Sequence, residues 1–110
     1  MYRATTPTHS FIFDIDPDAT FRTILITYAQ EGDIVLEKGK SDLTFSTTTD
    51  RSGSTLYVAS LRLTQQETNL FDADKNVVVQ LRALTYAGEA VAFNRITVAV
   101  RNVLNDEVLT

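Results

Sequence analysis

Apolar and polar residues alternate along most of this chain with the two-residue period of β-strands, in which successive side chains point to opposite faces. His9–Asp14 places Phe11 and Phe13 on one face and Ile12 on the other. Thr23–Gln30 is a β-rich run, apolar enough at its centre to be covered on both faces. Glu31-Gly32-Asp33 then supplies a turn, Gly32 being free to take a positive φ, and Ile34–Lys38 returns as the partner of a hairpin. The chain turns again at Gly39–Asp42, Leu43-Thr44-Phe45 forms a short strand, and Thr47–Ser54, the most polar stretch, reads as a surface loop. Thr55–Leu63 sets Tyr57, Ala59, Leu61 and Leu63 on one face and Val58, Ser60 and Arg62 on the other.

The second half repeats the pattern with one interruption. Thr64-Gln65-Gln66-Glu67 matches a capping box, in which the threonine hydroxyl accepts from the glutamate amide while the glutamate side chain reaches back. It predicts a helix of one or two turns that buries Leu70 and Phe71 and ends at Asp72-Ala73-Asp74. Asn76–Thr85 follows as a long strand with Val77, Val79, Leu81 and Ala83 inward, and Tyr86-Ala87-Gly88-Glu89 as the turn after it. The return strand, Ala90–Arg101, changes phase: Val91 and Phe93 are odd-numbered, whereas Ile96, Val98 and Val100 are even-numbered. A one-residue slip would turn every side chain to the wrong face, so Asn94-Arg95 is expected to form a bulge that resets the register. About seven short strands joined by turns describe one domain over residues 1–110, an all-β, immunoglobulin-like β-sandwich with one short helical turn and the Asn76–Arg101 hairpin at its centre.

Composition strengthens that reading and narrows function. With 16 Thr, 10 Val and 6 Ile among 110 residues, nearly three residues in ten are β-branched, side chains that suit a pleated surface better than a helix. There is no cysteine, so disulfide frameworks and cysteine–zinc sites are excluded. The apolar content, 44%, is too high for a disordered chain, and no apolar run approaches the length of a bilayer span. A net charge of −4 with scattered basic residues argues against nucleic acid or an anionic membrane as partner. The first eight residues carry no apolar segment before a small-residue cleavage site, so Sec export is not expected.

Candidate chemistry is sparse. His9 is the single histidine, no Gly-x-Ser-x-Gly elbow or nucleophile–base spacing accompanies it, and no phosphate-binding or dinucleotide motif is present. No catalytic residue, cofactor-binding residue or metal ligand is therefore assigned, and an enzyme is not expected. Asp14-Ile15-Asp16-Pro17-Asp18 is the densest group of carboxylates, but an EF-hand would need glycine at Ala19 and glutamate at Leu25. Its expected role is a solvated turn, with an irregular calcium site as the alternative. Among four tyrosines, Tyr28 and Tyr57 belong to the core pattern, and Tyr86, at a hairpin tip, is the candidate platform for a sugar ring.

Several segments resemble small proteins encoded in tailed phages and prophages of Firmicutes: Tyr2-Arg3-Ala4-Thr5-Thr6-Pro7-Thr8-His9, Leu63-Thr64-Gln65-Gln66-Glu67-Thr68, Val77–Thr85 followed by Gly88-Glu89-Ala90, and Val103-Leu104-Asn105-Asp106-Glu107-Val108-Leu109. The resemblance runs from Tyr2 to Leu109. It implies an immunoglobulin-like virion component of the tail, baseplate or head surface. Such a protein is made in the host cytoplasm, resides in the virion, and contacts other virion proteins and copies of itself. A receptor- or glycan-binding module on the virion surface, using Tyr86, is the alternative.

The termini add one expectation. A sandwich has open sheet edges that charge, proline or bulges normally protect. Met1–Thr8 holds one charged side chain and a single breaker, Pro7, while Val103, Leu104, Val108 and Leu109 make the C-terminal segment apolar. Tyr2, Pro7, Val103, Leu104, Val108 and Leu109 are thus expected assembly contacts, with one or both termini ordered against another subunit and pairing within their own sheet as the alternative.

Overall fold

The alternating segments become eight antiparallel strands in a computed structural model that describes residues 1–110 throughout. They are β1 (Thr8–Phe13), β2 (Phe21–Gln30), β3 (Asp33–Gly39), β4 (Thr44–Thr49), β5 (Thr55–Arg62), β6 (Asn76–Thr85), β7 (Ala90–Ala92) and β8 (Ile96–Ala99). One sheet has the order β1-β5-β4; the other has the order β3-β2-β6-β7, with β8 also on β6. The two sheets pack face to face as a β-sandwich. Between them lie the inward residues of the alternating patterns, among them Ile24, Ile26 and Tyr28 of β2, Ala59 and Leu61 of β5, and Val77, Val79 and Leu81 of β6. No helix is long and apolar enough to cross a membrane.

Local chemistry explains the turns. Glu31 (φ 51°) and Gly32 (φ 85°) both take positive φ between the paired Gln30 and Asp33, the two-residue geometry whose twist matches a hairpin. The capping box forms as expected: Thr64 Oγ1 accepts from the Glu67 amide at 3.1 Å, and Glu67 Oε1 accepts from the Thr64 amide at 2.9 Å. It opens a single helical turn, α2 (Gln65–Thr68). The bulge in the return strand is also present. Val79 pairs with Ile96 and Arg82 with Ala92, so three residues, Phe93–Arg95, stand opposite the two residues Gln80 and Leu81.

Five expectations are corrected. The strands number eight because the bulge divides the return strand into β7 and β8. The aspartate-rich turn contains a second helical turn, α1 (Pro17–Thr20), where Asp16 accepts from the amides of Asp18 and Ala19 and Pro17 occupies the first position, which needs no amide. Thr47–Thr49 belong to β4, and the loop shrinks to Asp50–Ser54. These threonines are exposed on both faces, so no apolar alternation betrays the strand. The molecule measures 44 × 30 × 24 Å, with a radius of gyration of 15.3 Å, against about 13 Å for a compact chain of this length. The Asn76–Arg101 hairpin is not central as a unit: β2 and β6 occupy the centre of the larger sheet, and β7 and β8 lie at its margin. Leu70 is 56% exposed, whereas its neighbour Phe71 is buried, because the single turn of α2 has only one covered side.

Two buried polar side chains tie loops to this frame. Gln30, at the end of β2, donates to the carbonyls of Asp72 (2.9 Å) and Lys75 (3.3 Å) and accepts from the Asp72 amide (2.8 Å). Thr68 donates to the Thr5 carbonyl and accepts from the Thr5 amide, holding the N-terminal segment against α2.

Candidate functional site

The unequal sheets leave one side of the sandwich open. The smaller sheet ends at β1, and on the same side the larger sheet ends at β8, so a cleft of about 430 Å³ lies between two strand edges. Phe11 and Phe13 line it from β1, Val79 and Leu81 form its floor from β6, and Phe93 and Ile96 line it from the bulge and β8. Seven of its nine lining residues are hydrophobic, and Ile96 remains 51% exposed. A smaller hollow of about 240 Å³ continues along β1 past His9 towards Val98. The outer edge of β1 has no ladder partner, and neither has the edge of Ile96–Val98 that faces away from β6. Backbone donors and acceptors therefore rim an apolar trough on both sides, the arrangement that accepts an added extended segment.

Aromatic packing fixes the two ends. Phe93 meets Phe13 edge-on at 5.4 Å and Phe21 at 6.1 Å between ring centroids, so this half-exposed ring is held in place. At the other end His9 stacks on Tyr28, with Nδ1 2.7 Å from the phenolic oxygen. Burial, reinforced by the N-terminal ammonium, lowers the His9 pKa below 6.5, so the neutral imidazole is favoured. Burial also raises the Tyr28 pKa, as does the nearby Glu67 carboxylate, keeping the phenol protonated. Glu67 itself is opposed by burial, but hydrogen bonds from Lys38 and the Thr64 amide, together with the Lys38 charge, outweigh this and hold its carboxyl below the usual range. The Lys38–Glu67 ion pair thereby fastens β3 to α2.

The expected contact residues are spread over the surface. Met1–Arg3 run beside the end of β8: Tyr2 bridges Arg101 in parallel, and the Met1 ammonium donates to the Ala99 carbonyl at 2.7 Å. Pro7 is half-buried, and its carbonyl accepts from the Leu63 amide. The C-terminal segment lies against α2, where Gln65 both donates to the Leu109 carbonyl and accepts from its amide, while Arg3 pairs with Asp106 at 2.7 Å. Both termini thus make contacts with their own chain. Val103 and Val108 are half-buried, and the side chains of Tyr2, Leu104 and Leu109 face outward. Tyr86 is 63% exposed at its hairpin tip, with the Lys40 ammonium 5.6 Å above the ring. Asp14, Asp16 and Asp18 do not converge as ligands: Asp16 caps α1, and Asp18 pairs with Lys40 at 3.2 Å.

Sequence patterning placed Phe11 on one face with Phe13, Val79 on one face with Leu81, and Ile96 in phase with Val98 and Val100, but nothing in it distinguishes an inward face that is covered from one that opens on a cleft. The one local signal was the phase change at Asn94-Arg95, which marks the cleft's rim. No protein-family model matches the chain, and no curated protein matches it.

Proposed function

We propose that this chain is an immunoglobulin-like virion component of a tailed phage, a non-enzymatic building block of the tail, baseplate or head surface that works through contacts with other virion proteins and copies of itself. The open cleft between β1 and β8 carries this reading. An extended segment from a neighbour, with apolar side chains at alternate positions, would fill the trough with those side chains and pair its backbone with either rim. The resemblance of the terminal and Val77–Thr85 segments to phage-encoded proteins supplies the setting.

The test is complementation of a phage whose copy of the gene is deleted, followed by mass spectrometry of gradient-purified particles. The wild-type chain enters the particles, and Ile96→Lys, a change at a half-exposed position, reduces incorporation without lowering the melting temperature of the free protein. Deletion of Asn105–Thr110 acts in the same direction. Particles that never contain the chain would sink the virion reading; full incorporation of Ile96→Lys would sink the role of the cleft.

A second reading, glycan binding at the virion surface, is favoured by the exposure of Tyr86 beside Lys40. It requires reproducible hits on a glycan array that disappear in Tyr86→Ala.

A further inference from the structure

The outer face of the larger sheet carries a feature the cleft does not explain. Thr27 and Ala29 of β2 and Val78 of β6 have small side chains there, and they floor a depression of about 380 Å³ with Ile34 on one wall and Arg82 and Arg95 on the other. Arg82 faces outward because it alternates with the buried Leu81 and Ala83. Arg95 lies beside it because the extra residue of the bulge shifts the return strand by one position; without that slip the two guanidinium groups would not line one hollow. Neither arginine is ion-paired within its own chain. Glu37, opposite Thr27 across the β2–β3 ladder, pairs with neither.

The same molecule displays the opposite charge elsewhere. Between β1 and α1, Asp14-Ile15-Asp16 presents an isoleucine 45% exposed between two exposed carboxylates. Asp14 has no basic partner, and Asp16 uses only one oxygen, Oδ1, to cap α1. Two arginines without ion pairs in one hollow and two exposed carboxylates in one loop are opposite in sign, and the like-charged remainder of a chain of net charge −4 leaves few such pairs of cations side by side.

We infer that the outer-face depression docks the Asp14–Asp16 loop of a second copy of this chain. The carboxylates of Asp14 and Asp16 meet Arg95 and Arg82, Ile15 lies on Val78 and Ala29, and Glu37 repels the loop from the β3 side and so directs it towards the arginines. The two surfaces differ, so the contact is heterologous: each copy offers one of each, and the copies repeat head to tail into rows or rings. A contact this small belongs to the weak class of interfaces and gains strength by repetition. It is independent of the β1–β8 cleft and of any virion setting, and it is read on the purified chain alone.

Sedimentation velocity tests it, on protein up to about 1 mM, in about 20 mM and about 500 mM NaCl. The wild-type chain associates with rising concentration at low salt and dissociates at high salt. Arg95→Glu and Asp14→Arg, both at exposed positions and both checked for an unchanged circular dichroism spectrum, each weaken association about tenfold. An equimolar mixture of the two variants recovers association as far as a dimer, because Arg95→Glu supplies an intact loop and Asp14→Arg an intact depression. A chain that stays monomeric at low salt, association that neither substitution weakens, or a mixture that fails to recover would each overturn the inference.

Discussion

Replacing Gln30 by leucine isolates one buried amide whose partners are all backbone groups. Gln30 is 5% exposed, and its side chain satisfies the Asp72 amide and the carbonyls of Asp72 and Lys75. Leucine fills similar space and leaves those three groups without their partner. A buried donor or acceptor stranded in this way costs about 1–3 kcal/mol. The 72–75 loop is near the surface, so water recovers part of the loss at the carbonyls, and the leucine contributes about 1 kcal/mol of burial. The expected net destabilisation is about 2.5 kcal/mol. Unfolding entropy of about 2.1 cal/mol/K per residue, over 110 residues, converts this to a fall in melting temperature of about 10 °C. Thermal unfolding followed by circular dichroism reads it directly, and hydrogen exchange should quicken at the Asp72 amide. Gln30→Glu is the discriminating control: it keeps the acceptor but loses both donors, so at neutral pH it also falls, whereas a side chain that only filled space would tolerate it. A leucine variant within about 0.5 kcal/mol of wild type would refute the account of Gln30 as the clamp on this loop.

Leu81→Asp places an unpaired carboxylate between the sheets and beneath the cleft at a position 2% exposed; it is expected to cost more than about 4 kcal/mol and to leave little folded protein at 25 °C by circular dichroism. Thr64→Ala removes the cap of α2 and should lower stability by about 1 kcal/mol in urea unfolding, with a loss below about 0.3 kcal/mol arguing that the Lys38–Glu67 pair alone holds the turn. The lowered pKa of His9 means that the unfolded chain takes up the proton first, so the stability that the neutral ring contributes is complete above pH 6.5 and is lost as pH falls through the folded value. His9→Gln should therefore flatten the fall in urea midpoint on the acid side of pH 6.5, and an unchanged slope would show that His9 is not the titrating group.

What the sequence determined by itself was everything set by nearest neighbours and by the period of two. The inward faces of β1, β5 and β6, the capping box at Thr64 and Glu67, and the turn at Gly88 each depend on residues within a few positions of one another, so the chain displays them directly. The bulge was legible for the same reason: a change of phase between Phe93 and Ile96 permits no continuous strand. Tertiary structure decided what alternation cannot encode. Thr47–Thr49 pair with Tyr57, Leu56 and Thr55 although neither of their faces is buried, because a neighbouring ladder supplies the hydrogen bonds. Gln30 reads as the polar end of a strand, yet it is buried because a loop 42 residues away wraps its amide. The division into three strands against five, which leaves β1 and β8 facing each other across an apolar trough, and the meeting of Arg82 with Arg95 are matters of which strands become neighbours. Sheet pairing is long-range, and one period-two pattern fits a central strand and an edge strand equally well; only the packed fold distinguishes them.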